Sequence, residues 1–412
     1  MNGFTDRLNQ ITPLNKRVFY IVWAALFIVP VLFTKIATSQ YINSVVILGL
    51  QFVIVALTWK QTILGIKAVW VHFPVIFSLL VITLILGFSG ARNQIYLVGI
   101  LFIFSLIGQY ISQSLEMVYI PIIKIKAWTI FGIGIYFSLF YFIFGDSTLT
   151  DDLFNLVLPL YRHARHFNYE LIFVIPIVSY LILTSSRPSP WLWLGMSVLF
   201  MYYSLATGGR GQALAMSIIG ILCIKLHISL VARNTILLGV TILLGFALVF
   251  VTSQDDFVMN HKISQVTDSS SISEMSSGRF RIWGDVFVEL QKKPLIKQMT
   301  GGATDSKGLL YAMGYRNISH PHNTPLQVLI EYGYFGLALY IYLSFLMLQA
   351  AFQNIWTMKA LNLVTLSSVT LIGVWVFSLT DGLFYHGIPL TMNLIFLSVL
   401  LYNAISTASD NR

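Results

Sequence analysis

The sequence predicts an all-α polytopic membrane protein, and three observations carry that prediction. Of its 412 residues, 57% are hydrophobic and only 10% are charged, whereas a soluble domain carries roughly 25% charged residues. The apolar residues fall into long runs, and a hydrocarbon core about 30 Å thick takes roughly 20 apolar residues per helix. Period-two alternation, the mark of a membrane strand, is absent from these runs.

Read in chain order, the runs give about 12 transmembrane helices. They lie near 18–37, 42–58, 68–88, 95–112, 125–144, 170–185, 190–206, 211–230, 234–252, 326–350, 361–379 and 388–405. The first follows Arg7, Lys16 and Arg17, as a signal peptide would. It is long and lacks a clear small-residue cleavage site, so a retained anchor is expected. The whole chain, 1–412, reads as a single integral membrane domain. Its one long polar segment, 254–325, falls between the ninth and tenth helices and is expected to form short helices capping the active site. Helical signals near 279–293 end at Lys292-Lys293-Pro294.

The formal charge of +9 does not point to nucleic acid, because the basic residues are dispersed and no soluble domain exists to hold a basic face. In such a chain they record topology and contact with anionic lipid. With the N-terminus inside, twelve Lys and Arg, Lys60, Lys67, Lys124 and Lys126 among them, fall in cytoplasmic segments. Five fall in short outer loops: Lys35, Arg92, Arg162, Arg165 and Arg210. Both termini are therefore expected in the cytoplasm, with 254–325 outside. The single cysteine, Cys223, lies in an apolar run and excludes an intrachain disulfide.

The unusual residues gather on the predicted outer face. Arg210 sits in Gly208-Gly209-Arg210-Gly211, a turn whose glycines let backbone approach a ligand and whose guanidinium offers a planar fork for phosphate oxygens. Bonding to lipid headgroups or helix-end carbonyls is the alternative. Arg279 and Arg281 stand two apart and cannot share a helix face; one is expected to point at a site, the other at the surface or a carbonyl. Trp283 is placed to stack on Arg279 or to anchor at the interface. Arg162, His163, Arg165 and His166 form a mixed cluster that serves equally as a solvated face or a substrate contact.

His320-Pro321-His322 closes the polar segment where water meets membrane. Zinc would need further ligands; Asp305, Glu331 and His386 are available, but none has diagnostic spacing, so no metal and no cofactor is expected. General-base chemistry fits better. Thr324-Pro325 reads as an N-cap followed by proline at the first helical position, placing His322 just outside the positive end of a helix dipole. That field, with nearby arginines, favours the neutral imidazole that a base requires. Glu331, seven residues into the following span, is expected to face the bundle interior, pairing with an arginine or orienting a substrate hydroxyl. Gly333 and Gly336 are expected to permit close helix packing. Asp381 and His386 flank the last outer turn, which reads as a plain turn.

These residues also carry a family resemblance. His322-Asn323, nine residues, then Gly333-x-x-Gly336 resembles the H-N-x9-G-x-x-G signature of the bacterial O-antigen ligase and polymerase superfamily. Arg279-x-x-x-Trp283 and Gly209-Arg210-Gly211 resemble two further motifs of that family in the same order. The resemblance spans about residues 200–340 and implies metal-independent glycosyl transfer at the periplasmic face of the bacterial inner membrane. The donor it implies is a glycan on undecaprenyl pyrophosphate, with Arg210 and Arg279 on the pyrophosphate and His322 deprotonating the acceptor hydroxyl. Arg162, Arg165, Arg281, Asn323 and Glu331 are further possible substrate contacts. An O-antigen ligase of lipopolysaccharide biosynthesis would use a lipid A–core sugar as acceptor. A polymerase would use another lipid-linked repeat, and a protein O-oligosaccharyltransferase a serine or threonine. A transporter or flippase would need polar residues and broken helices near mid-membrane; here the charges cluster at one face.

Overall fold

The computed structural model describes residues 15–36, 40–78, 81, 93–144, 169–174, 176–177, 180, 210–227, 279–301, 306–315, 321–358, 361–381 and 387–410. Helix is the only regular structure among these residues. The principal helices are α1 (Lys16–Ile36), α2 (Gln40–Leu57), α3 (Trp59–His72), α4 (Asn93–Gln113), α5 (Leu115–Phe144), α6 (Arg210–His227), α7 (Arg279–Gln291), α8 (Leu295–Thr300), α9 (Ser306–Ala312), α10 (Thr324–Thr357), α11 (Leu363–Ser378) and α12 (Gly387–Asp410).

Eight predicted spans fall on α1, α2, α4, α5, α6, α10, α11 and α12. Those near 190–206 and 234–252 lie outside the described residues, and those near 68–88 and 170–185 are described only in part. By length and composition, α10 and Pro389–Ser409 of α12 are able to cross a membrane. Val45–Leu57 and Trp59–His72, bent by 89°, add a third if counted as one broken span. The described residues therefore carry two or three of the expected twelve crossings.

The segment holding Lys60 and Lys67 is helical, not the loop expected. The chain bends at Thr58, whose hydroxyl lies 2.6 Å from that of Ser105 on α4. Beyond the bend, α3 crosses α4 so closely that a Cβ on Gly65 would stand 1.9 Å from the Phe104 carbonyl oxygen, and one on Gly108 1.7 Å from that of Gln61. Two glycines thus let the backbones meet, as small residues do between membrane helices.

Lys124 and Lys126 are also within a helix, α5. Lys126 is fully buried, bonded to the buried Glu170, with its ammonium over the Phe27 ring at 5.2 Å. Pairing is what allows an ammonium at such a position, since an isolated buried charge is prohibitive. Of the twelve Lys and Arg that support the predicted orientation, Lys60, Lys67, Lys124 and Lys126 thus stand within helices and not in the cytoplasmic loops expected.

The core is aromatic. Phe173 stacks on Phe396 at 5.9 Å and 6°, and Tyr169 packs on Phe377 at 5.5 Å. Polar pairs cross between helices inside it, the Tyr110 and Ser398 hydroxyls at 3.0 Å and Gln51 Nε2 donating to Thr391 Oγ1 at 2.8 Å, the ties expected where no water competes. Helix α11 opens on a capping box: Asn362 Oδ1 accepts from Thr365 N at 2.9 Å, and Thr365 Oγ1 accepts from Asn362 N at 2.8 Å.

Helix α10 begins one residue earlier than the sequence suggests. Asn323, not Thr324, is the N-cap: its Oδ1 accepts from Leu326 N at 2.8 Å. Gly333 breaks α10 with φ 65° and ψ −166°, a conformation for which glycine is suited. A Cβ at Gly333 would stand 2.4 Å from the backbone nitrogen of Gly301, at the end of α8. The glycine spacing thus marks a kink with a short helix seated in it, not the contact between two spans that was expected.

Candidate active site

Two chain segments build the site, the turn before α10 and the turn after α11. Helix α11 ends at Ser378, where Leu379 N donates to Val376 O at 3.2 Å and Asp381 N to Phe377 O at 3.0 Å. The next three carbonyls point away from α11 and each finds a donor elsewhere. Asn323 Nδ2 donates to Leu379 O at 3.0 Å, the Arg279 guanidinium to Thr380 O, and Thr324 Oγ1 to Asp381 O at 3.1 Å. Three consecutive peptide units are thereby fixed by the residues that follow His322 and by the first residue of α7.

On that clasp, His322 meets Asp381. His322 Nδ1 lies 3.1 Å from Asp381 Oδ1, and the other carboxylate oxygen accepts from the Tyr169 hydroxyl at 3.0 Å. Asp381 is buried, while His322 keeps 21% of its side-chain surface exposed. His322 adopts φ 52°, a backbone conformation that non-glycine residues rarely hold without support. The support is visible on both sides: Trp283 Nε1 donates to Pro321 O at 2.8 Å, and Asn323 is locked by its cap. An ionised carboxylate only accepts, so Nδ1 carries the hydrogen in this pair. The lone pair then lies on Nε2, the nitrogen away from Asp381. This is the orienting logic of a carboxylate–imidazole base.

The predicted site residues divide. His322, Asn323 and Arg279 come together at this turn. Asn323 uses its oxygen for the cap and its amide nitrogen for Leu379, which is a scaffolding position. Arg279, with one of its donors on Thr380 O, is the member of the arginine pair that turns toward His322. Arg281 turns elsewhere, toward Tyr315, whose hydroxyl donates to Asp285 and is pushed above its usual range chiefly by that contact. Trp283 packs edge-on against Phe280 at 5.1 Å instead of stacking on Arg279. Glu331 Oε1 accepts from Gln327 Nε2 at 3.3 Å, about two helical turns beyond the Asn323 N-cap of α10.

Arg210 is the first residue of α6. Fifteen positions on, Lys225 lies over the Trp356 ring, near the end of α10 remote from His322. The Arg210 end of α6 is therefore the end nearer His322, roughly 22 Å along the axis from Lys225 at 1.5 Å per residue. The side chain of Arg210 lies outside the described residues, as do Arg162, His163, Arg165, His166, Asp305, His320 and His386. Among the described residues no three His, Cys, Asp or Glu side chains gather at one point.

Sequence reading ranked Asp381 as a plain turn residue, with lining the site as the lesser alternative, and did not single out Tyr169, at the margin of a predicted span. The available signal was an acidic side chain directly after an uncharged apolar helix, where a carboxylate is costly unless used.

Residues 195–341 match the O-antigen ligase family model. This match includes Arg210, Arg279, His322, Gly333 and Gly336, and supports membership of the O-antigen ligase superfamily. The O-antigen ligase segment runs through α6 to α9 and into α10, so it ends before Asp381 and begins after Tyr169. No curated protein matches the chain. With α10 and α12 each long and apolar enough to cross a membrane, the chain is a multi-pass membrane protein.

Proposed function

We propose that the chain is an O-antigen ligase, transferring a glycan from undecaprenyl pyrophosphate to a lipid A–core sugar hydroxyl at the periplasmic face of the bacterial inner membrane. The observation that carries this reading is the His322–Asp381 pair, in which His322 stands within the O-antigen ligase match and Asp381 beyond its end. His322 Nε2 takes the proton of the acceptor hydroxyl. The acceptor oxygen then attacks the anomeric carbon as the bond from that carbon to the pyrophosphate oxygen breaks. Asp381 holds the ring and stabilises the imidazolium that forms. Undecaprenyl pyrophosphate leaves with the bonding electron pair, its charge met by Arg279 and Arg210. A single displacement inverts the anomeric centre, and the chemistry needs neither metal nor cofactor.

The test is transfer by the purified full chain from a lipid-pyrophosphate glycan to lipid A–core, comparing wild type with His322→Ala. Full activity in the variant overturns the base assignment, and transfer abolished by a chelator overturns the metal-free chemistry. Deletion in the native host separates the acceptors. Loss of long chains from lipid A with lipid-linked polymer retained is the expected result. Chains capped at one repeat would mean a polymerase, and unchanged lipopolysaccharide with unglycosylated protein a protein O-oligosaccharyltransferase.

A further inference from the structure

The far arm of α10, beyond the Gly333 kink, carries its own depth gauge. Tyr334 and Phe335 are exposed immediately after the kink, and Trp356 is exposed at the other end. From Tyr334 to Trp356 the helix rises roughly 33 Å at 1.5 Å per residue, close to the hydrocarbon thickness of about 30 Å. Tyr342, Phe345 and Phe352 are exposed between them, and Tyr334 and Trp356 at the two ends are of the types that the two membrane–water interfaces collect. The kink at Gly333 therefore lies at headgroup depth on the His322 side.

Helix α8 is seated on that kink, its following residue Gly301 in backbone contact with Gly333. At the start of α8, Leu295 and Ile296 are 72% and 69% exposed, the two most open aliphatic side chains among the described residues. Phe287 and Val288 on α7 are exposed as well, on the side of α7 opposite Ile282, Val286 and Leu290, which are buried against Leu326, Leu329 and Ile330. Lys292, Lys293 and Lys297 surround the apolar pair, with Glu289 as the one carboxylate in 287–298. The turn is stiff: Gln298 Nε2 donates to Lys293 O at 2.7 Å and to Gln291 O at 3.2 Å.

We propose that the α7–α8 turn is a monotopic membrane anchor, with Leu295 and Ile296 inserted among the acyl chains of the leaflet on the His322 side and Lys292, Lys293 and Lys297 on anionic phospholipid headgroups. An apolar tip ringed by lysines at interface depth has the composition of segments that lie in a bilayer surface. The anchor fixes the height of α7 above the membrane, and with it the height of Arg279. It does not depend on which reaction the site performs.

The test uses spin labels on the full chain, reconstituted in phosphatidylcholine vesicles with and without phosphatidylglycerol. Cys223 is fully buried, so labels on Leu295→Cys or Ile296→Cys are selective, and Lys307→Cys serves as the water-facing reference. Labels at 295 and 296 are expected to be reached by oxygen and shielded from a water-soluble nickel chelate, the reverse of 307. Neutralising all three lysines to glutamine is expected to make both labels shallower and to abolish the effect of phosphatidylglycerol. Nickel accessibility at 295 and 296 equal to that at 307 overturns the anchor. Shielding from both reagents also overturns it, since that would mean cover by protein, such as a second copy.

Discussion

Asp381 Oδ1 lies 3.1 Å from His322 Nδ1, although 59 positions separate them in the chain. Between them run the whole of α10 and α11, so two helices out and back return an acid to a base. Substituting Asp381 by Asn preserves shape but offers the ring an amide that can donate as well as accept. Asp381→Asn is expected to lower kcat for glycan transfer by roughly a hundredfold or more, because a misoriented base loses most of its contribution. The apparent KM for the lipid-linked donor should stay unchanged. Steady-state kinetics in detergent would decide it, and a normal kcat would remove Asp381 from the mechanism.

Tyr169 contributes one hydrogen bond to the second carboxylate oxygen. Hydrogen bonds to charged groups contribute about 1.5–3 kcal/mol, so Tyr169→Phe should reduce kcat roughly tenfold and leave the protein folded. The pH dependence of transfer should change with it, which loss of ring packing alone would not produce. An unaltered rate and pH profile would make the tyrosine a packing residue.

Arg279 holds the Thr380 carbonyl at the same turn and is one of the two arginines proposed to meet the pyrophosphate. Arg279→Ala should raise the donor KM and lower kcat together, and Arg279→Lys should recover little, since a lysine lacks the fork. Rescue to wild-type rates by lysine would show that charge alone is needed.

Gly333 meets Gly301 backbone to backbone. Gly333→Ala adds a Cβ into that contact and forces a side chain onto a positive φ, so a loss of stability of at least about 1–3 kcal/mol is expected. Thermal unfolding in detergent would measure it, and an unchanged Tm would mean that α8 separates from the kink without cost.

Lys126 and Glu170 are buried as a pair. Lys126→Met alone leaves a carboxylate without its counter-ion and should destabilise the protein by roughly 3–5 kcal/mol. Lys126→Met with Glu170→Leu should recover most of that loss, since well-packed apolar pairs replace buried ion pairs at little net cost. Failure of the double variant to recover would show that the charges do more than neutralise each other.

Hydropathy located most of the helices because lipid demands a long apolar run from each one. It misread Lys60, Lys67, Lys124 and Lys126, since a charge ordinarily ends an apolar run. The first three are exposed on their helices, whereas Lys126 is buried and paired with Glu170. The His322 motif was visible because its residues are neighbours in sequence: cap, helix and kink follow one another. Asp381 was not, because its role exists only where the ends of α10 and α11 meet. The choice of Arg279 over Arg281 was legible through the Arg279-x-x-x-Trp283 resemblance, but the Thr380 carbonyl that Arg279 holds was not.

The grip of Asn323, Arg279 and Thr324 on three successive carbonyls welds the start of α10 to the end of α11. Neither helix end can rotate without breaking that weld, so His322 is stationary. On the function proposed, two bulky, lipid-tethered molecules must therefore each diffuse in the plane of the bilayer to one immobile point, and the spent carrier must vacate it.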